Sequence, residues 1–205
     1  MQKNEQIQSI EQVGNVKKEN LTRKIVLTAV FTALATVVNS FVTIRVGPIF
    51  KFSPLLVIYF FAGYYLGAPL GFCVGLLGDI FGWLIFTDGA YNPFIGLSNG
   101  LCCAIPGLMF GLKRPCAKPT KYGIFVLKSF IAFVVCYLLC TVFITSSGIW
   151  IMTAFIRGKY ETLIAWFIYR ATVQGPNNLV NFVMVILLYL PLRKIKYLER
   201  QIYCE

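Results

Sequence analysis

A set of polar side chains near the end of the sequence has residue types suited to binding an anionic, hydrogen-bonding ligand. They lie three or four residues apart in the otherwise apolar run from Ile168 to Pro191, which places them on one face of a helix. Polar groups at membrane depth normally face a bundle interior or a wet cavity, because they are costly in hydrocarbon when unpaired. The members of this polar face are Arg170, Gln174, Asn177, Asn178 and Asn181.

This polar face has two interpretations. The amides could only join helices to each other, or they could form one wall of a ligand pocket in which Arg170 pairs with a carboxylate. Gly175 and Pro176 could interrupt the helix or start it, so Arg170 and Gln174 could also lie on a loop just outside it. Both interpretations stay open at the level of sequence.

The composition is that of an integral membrane protein. Of the 205 residues, 58% are hydrophobic and 13% are charged, a balance that soluble domains do not show. The net charge of +11 comes from tails and from loops between apolar runs, so we do not expect nucleic acid binding. The sequence has no histidine, no cysteine pair with metal spacing and no ATP-binding or hydrolase motif. We therefore expect neither an enzyme nor a bound cofactor.

Six apolar runs predict an all-α bundle of six transmembrane helices that occupies residues 25–192. Residues 1–24 are expected to form a flexible tail, residues 193–205 a basic tail, and residues 145–169 a mixed, partly helical connection along the membrane interface. The predicted spans are 25–44, 53–66, 70–86, 94–112, 122–144 and 168–191.

The distribution of basic residues predicts that both termini are cytoplasmic in a cell membrane. Most of the 19 Lys and Arg residues are then inside, in the two tails and in the loop at 113–121. This orientation places the polar face of span six on the outer side, together with two short loops, 45–52 and 87–93, that could act as lids. The polar residues of the chain therefore converge on one extracellular site.

Two further features of the spans concern charge and packing. Asp79 is the only carboxylate within the apolar runs, so it must be paired or neutral; it could serve a salt bridge, a helix end or the ligand. Small residues in span one, among them Ala29, Ala33 and Ala35, would let another helix approach closely, and the glycines of span three predict close packing in the same way.

Four segments occur in a characteristic order: LTAVFTALATV in span one, GYYLGAPLG at the end of span two, VGLLGDIFG in span three and GAYNPFIGLSNG before and within span four. This order resembles the S components, the substrate-binding subunits of energy-coupling factor (ECF) vitamin transporters, and the last segment is similar to their folate-specific branch. The resemblance implies a six-helix bundle that captures a vitamin outside the cell. It also implies assembly with a transmembrane T component, through Ala29, Ala33 and Ala35, and with two cytoplasmic ATPases.

Folate, the vitamin that this resemblance favours, needs aromatic surfaces, amide hydrogen bonds and a cation. Pantothenate would need fewer aromatic side chains and riboflavin no carboxylate partner, and a scaffold whose polar residues only join helices is a further alternative. The candidate ligand-binding residues are Phe52, Tyr91, Phe94 and Trp166 for ring contacts, Ser98, Asn99, Gln174, Asn177 and Asn178 for hydrogen bonds, and Arg45, Lys51 and Arg170 for charge.

Overall fold

The protein is a bundle of membrane-length helices with one short hairpin. The computed structural model describes residues 2–42, 44–46, 50–85, 90–110, 122–157 and 163–194; within these ranges, side chains are not described for 2–21, 44–46, 50–51, 156–157, 166, 169 and 193–194. The elements are α1 (Gln2–Phe41), β1 (Ile44–Val46), β2 (Phe50–Phe52), α2 (Leu55–Leu66), α3 (Ala68–Ile85), α4 (Pro93–Phe110), α5 (Tyr122–Val135), a π-helical segment (Cys136–Thr145), α6 (Ser146–Arg157) and α7 (Leu163–Lys194).

Five helical stretches in the described part of the chain are long and apolar enough to cross a membrane: 22–41, 68–85, 93–110, 122–155 and 163–192. The shorter α2 is the sixth member of the bundle, and its 12 residues are mostly buried. At about 1.5 Å per residue it is roughly 18 Å long, less than the hydrocarbon thickness of about 30 Å. The predicted six-helix, all-α membrane fold is confirmed.

The first helix begins much earlier than the predicted first span. The sequence predicted a flexible tail up to Lys24, whereas α1 is helical from Gln2. Gln, Glu and Lys are good helix formers, and they extend a helix that the apolar residues at 22–41 already form, which avoids a second nucleation step. The cytoplasmic position of this segment stays a prediction.

The hairpin of β1 and β2 occupies the predicted first lid. The two strands pair antiparallel, with Ile44 opposite Phe52 and Val46 opposite Phe50. The described residues of the predicted short loop therefore form two paired strands. Of the predicted second lid, residues 87–89 lie outside the described residues.

Glycines bring α3 close to its neighbours on both sides. A Cβ atom on Gly75 would lie 2.3 Å from the backbone oxygen of Asn99 in α4, and one on Gly78 would lie 3.0 Å from the Cβ of Ala35 in α1. A real Cβ essentially never lies as close as 2.3 Å to another atom, and 3.0 Å is tighter than most Cβ contacts, so the helix spacing depends on the missing side chains. The close packing predicted for the glycines of span three is confirmed.

The fifth span is longer than the sequence predicted. The prediction ended it at Ile144 and placed a mixed connection at 145–169, but α5, the π-helical segment and α6 form one continuous helical stretch from Tyr122 to Arg157. The polar residues that suggested a break are satisfied inside the helix: Ser147 Oγ donates to the Phe143 carbonyl oxygen at 2.8 Å. The helix therefore continues through residues that the sequence pattern assigned to a connection.

The seventh helix continues through both of its prolines. Pro176 lies inside α7, which starts at Leu163, so Arg170 and Gln174 are helical residues. The alternative in which they lie on a loop is wrong. A proline in a helix removes one backbone hydrogen bond, and in membrane helices neighbouring groups compensate for this loss.

An aromatic core occupies one half of the bundle. Phe60 of α2 stacks on Phe133, and Phe125 stacks on Tyr189 of α7 with ring centroids 3.5 Å apart. Phe110, near the end of α4, joins the same cluster. This half of the bundle is closed by apolar packing, so polar groups are left for the opposite end.

Candidate ligand-binding site

Polar side chains gather at the end of the bundle that carries the β1–β2 hairpin, which we call the hairpin end. Here the chain leaves β2 and enters α2, α3 ends, α4 begins, and the N-terminal half of α7 passes. Hydrogen bonds join the β2–α2 junction to α7 and α3 to α4 at this end. Two groups of polar side chains are therefore found at this end, one on α7 and one between α3 and α4; that they form a single site stays a prediction.

The polar face of α7 turns into the bundle. Asn177 and Asn181 are buried, and Arg170, Gln174 and Asn178 are partly buried. Apolar residues of the same helix are exposed in the position where lipid would lie, among them Ile168, Leu179, Val180 and Val183. The helix thus separates a polar inner face from an apolar outer face, as its spacing predicted.

Two asparagines of this face hold the root of the hairpin. The backbone N–H of Ser53 donates to Asn177 Oδ1 at 3.2 Å, and Asn181 Nδ2 donates to the Ser53 carbonyl oxygen at 3.0 Å. Asn181 Nδ2 also lies 2.8 Å from the Asn177 carbonyl oxygen. These bonds satisfy backbone groups between β2 and α2, so Asn177 and Asn181 join parts of the chain, as the first interpretation proposed.

The other two amides are bound less tightly. Asn177 Nδ2 lies 3.5 Å from Gln174 Oε1, at the outer limit of a hydrogen bond. Asn178 Nδ2 lies 3.4 Å from the Phe133 carbonyl oxygen, and Asn178 Oδ1 is buried with no hydrogen-bond partner among the described residues. A buried acceptor without a donor is costly, so a ligand that brings an N–H group to Asn178 would gain a bond that the protein does not make.

Tyr137 of the π-helical segment faces the same part of α7. Its hydroxyl donates to the Ala171 carbonyl oxygen, five residues before Pro176. No sequence pattern selects this tyrosine, since an aromatic residue in an apolar span is usually a packing residue. Its contact with Ala171 is visible only when the π-helical segment and α7 are placed side by side.

Ser98 of α4 fixes the π-helical segment. Its hydroxyl donates to the Cys140 carbonyl oxygen at 2.9 Å and lies 2.9 Å from Thr145 Oγ1. Thr145 Oγ1 is also 2.9 Å from the Cys140 carbonyl oxygen. Because Ser98 is only 3% exposed, the contacts that the structure shows for this predicted ligand residue are structural ones.

Asp79, Asn99 and Tyr91 form a second polar group at the hairpin end. Asn99 Nδ2 donates to Asp79 Oδ1 at 2.8 Å, and the Tyr91 hydroxyl is also hydrogen-bonded to Asp79. Partial burial and the nearby carboxylate both raise the pKa of Tyr91, so its hydroxyl stays protonated and acts as a donor. The Trp83 ring lies 5.4 Å from the Tyr91 ring.

The remaining predicted ligand residues are distributed around this end. Phe52 is partly buried at the end of β2, and Phe94 is 37% exposed in the first turn of α4. Arg45 and Lys51 are opposite each other in the hairpin register, but their side chains lie outside the described part. The same holds for the side chain of Trp166 in α7.

The three alanines predicted to contact a partner do not share one environment. Ala29 and Ala33 are exposed and line a groove of about 790 Å³ between α1 and α3, whose other lining residues include Leu77 and Phe81. Ala35 is 0% exposed and packs against Gly78. Its assignment to a partner surface is therefore wrong, because the α1–α3 contact inside the chain already covers it.

The arrangement at the hairpin end suits reversible binding. It combines amides, a tyrosine hydroxyl, aromatic rings and the guanidinium of Arg170, and such groups bind flat, hydrogen-bonding molecules that carry an anion. Within the described residues, no three side chains of the metal-ligating types come together.

Comparison with known proteins gives one family and one fold. The sequence model of the family described as "ECF-type riboflavin transporter, S component" matches residues 19–198. The solved structure described as "FolT bound with folic acid" is similar, with a TM-score of 0.63 and 19% identity, over 82% of this chain and 92% of that one. No curated protein matches the chain. Since the family match covers most of the sequence, the chain belongs to the S components of the ECF-type riboflavin transporter family.

Proposed function

We propose that this S component captures folate at its hairpin end, as the substrate-specific subunit of an ATP-driven ECF transporter. The observation that carries the proposal is the inward polar face of α7. Asn177 and Asn181 are used to hold the hairpin root, while Gln174 and Asn178 have weak or missing bonds and lie one to two turns from Arg170. The face therefore contains both a rigid support and groups that can still bind.

Folate fits the chemistry of these groups. Its pterin edge presents N–H donors and ring acceptors, which the Gln174 and Asn178 amides can match. Its glutamate carboxylates need a cation, and a guanidinium binds a carboxylate with two parallel bonds. Tyr91 and Phe94 would supply ring contacts. The likeness in fold to FolT, which was solved with folic acid bound, supports this choice.

Riboflavin is the second candidate, because the family description names it. Its flat ring system has N–H and carbonyl groups that the same amides can bind. It lacks a carboxylate, however, so it gives Arg170 no ionic partner. Loss of the Arg170 guanidinium should therefore weaken the binding of folate and not that of riboflavin.

The deciding experiment measures ligand binding by the purified protein. We expect folate to raise the melting temperature, riboflavin and pantothenate to leave it unchanged, and mass spectrometry to find folate in protein purified without added ligand. Arg170→Ala should weaken folate binding, whereas Arg23→Ala, at the other end of the bundle, should not. Stabilisation by riboflavin, with no dependence on Arg170, would replace folate by riboflavin; binding of none of the vitamins would refute capture altogether.

We also infer that the chain works with a T component and two cytoplasmic ATPases, and that both of its termini are cytoplasmic. The exposed Ala29 and Ala33 lie on a groove between α1 and α3 where another apolar helix could pack. The side of the termini can be tested with a membrane-impermeant thiol reagent on a variant with a cysteine introduced at residue 3. Because the chain has seven native cysteines, the unsubstituted protein is the control. Labelling in intact cells above that of this control would contradict a cytoplasmic N-terminus.

A further inference from the structure

We propose that Asp79 is a positioning residue, which holds Tyr91 and Asn99 in the arrangement that the ligand meets. The inference rests on the proposed function, since it treats Tyr91 and Asn99 as ligand-contacting side chains. Asp79 itself is only 8% exposed, in the interior of α3. It therefore acts through its two partners and not by direct contact.

The carboxylate of Asp79 connects three parts of the chain. Asn99 in the second turn of α4 donates to Oδ1 at 2.8 Å, and Tyr91, which precedes α4, donates its hydroxyl to the same carboxylate. A buried carboxylate is stable only when its oxygens receive hydrogen bonds. Each donor therefore stabilises Asp79, and Asp79 in turn restricts the rotamers of both donors.

Gly96 provides the space for this contact. A Cβ atom on Gly96 would lie 2.3 Å from Tyr91 Oη and 3.3 Å from Asp79 Oδ2. The tyrosine hydroxyl and the carboxylate thus meet directly above a residue without a side chain. Any larger residue at position 96 would push Tyr91 away from Asp79.

Trp83 contacts the aromatic ring of Tyr91. It lies one helical turn after Asp79 in α3, and its ring is 5.4 Å from the Tyr91 ring at a tilt of 58°. Tyr91 is therefore fixed at its hydroxyl by Asp79 and along its ring by Trp83. Such fixing before binding reduces the conformational entropy that a ligand must remove, which slows dissociation more than it speeds association.

A double-mutant cycle on Asp79→Asn and Tyr91→Phe tests the inference, with folate and riboflavin as probes. We expect each single variant to bind the vitamin about tenfold more weakly, mainly through faster dissociation, and the double variant to bind no more weakly than either. Tyr59→Phe is the matched control, because the Tyr59 hydroxyl is buried without a hydrogen-bond partner among the described residues. It should leave affinity unchanged.

The outcomes separate this inference from the proposed function. If the wild type binds a vitamin but the effects of the two variants on affinity are additive, or Asp79→Asn has no effect, the inference is wrong and the capture function stands. A purely structural role would lower the melting temperature and leave the dissociation rate of the folded fraction unchanged. If the wild type binds no vitamin, the inference and the proposed function are both wrong, even if the melting temperatures of the ligand-free variants show coupling between Asp79 and Tyr91. Gly96→Ala keeps the test available should Asp79→Asn fail to fold, and should weaken binding like Tyr91→Phe.

Discussion

Replacing Asn181 by leucine should destabilise the protein without acting on the ligand directly. Leucine has the same number and branching of side-chain heavy atoms as asparagine, so much of the packing of α7 is kept while the amide is lost. The Ser53 carbonyl oxygen then loses its donor at 3.0 Å, and the Asn177 backbone oxygen loses a contact at 2.8 Å. A buried acceptor without a partner costs about 1–3 kcal/mol, and helix-to-helix hydrogen bonds in membranes average about 0.6 kcal/mol. The substitution also removes Asn181 Oδ1, a buried acceptor without a hydrogen-bond partner among the described residues, which offsets part of this cost. We therefore expect a loss of about 1–2 kcal/mol in the free energy of unfolding.

The assay is equilibrium unfolding of the purified protein in detergent, with Gln174→Leu as the matched control on the same helix. Gln174 shares the amide chemistry, but the bond that it accepts from Asn177 is 3.5 Å long, so its loss should cost less than about 0.5 kcal/mol. Gln174→Leu should instead weaken vitamin binding. Equal destabilisation by the two variants would refute the division of the polar face into a support and a ligand-binding part.

Further substitutions test the helix packing, one turn and the partner surface of α1. Gly75→Ala should lower the free energy of unfolding by about 1–3 kcal/mol, since its Cβ would meet the Asn99 backbone oxygen at 2.3 Å. Gly123→Ala is the control and should not lower it, because no atom lies within 4 Å of its Cβ. An unchanged free energy of unfolding in Gly75→Ala would contradict the close α3–α4 contact. Gly67→Ala should lower the melting temperature, because φ is +82° and ψ is 176° there, a region that is essentially confined to glycine and costs other residues about 1–3 kcal/mol. An unchanged melting temperature would count against that turn. Ala29→Leu should keep vitamin binding and reduce co-purification with the T component, whereas Ala35→Leu should destabilise the isolated chain; the opposite pattern would show that the wrong face of α1 was assigned to the partner.

Much of the fold follows from composition and spacing. Membrane-length apolar runs predict spans because a helix is the structure that satisfies its own backbone in hydrocarbon. The inward orientation of the α7 polar face follows from the same cost. By contrast, the predicted end of the fifth span was wrong. Thr145 and Ser147 donate hydrogen bonds to their own helix, and the sequence does not show whether such residues do so.

The site is less predictable than the fold, because polar residues have the same spacing along the sequence whether they contact a ligand or another part of the chain. Spacing and charge alone predicted that polar groups gather at one end and that Asp79 needs a partner there. The packed chain was needed to show that Asn181 supports Ser53, that Ser98 holds the π-helical segment and that Asn99 and Tyr91 bind Asp79. These partners lie on other helices or on the connections between them, at distances along the chain that no local pattern encodes, and their contacts exist only after the helices have packed.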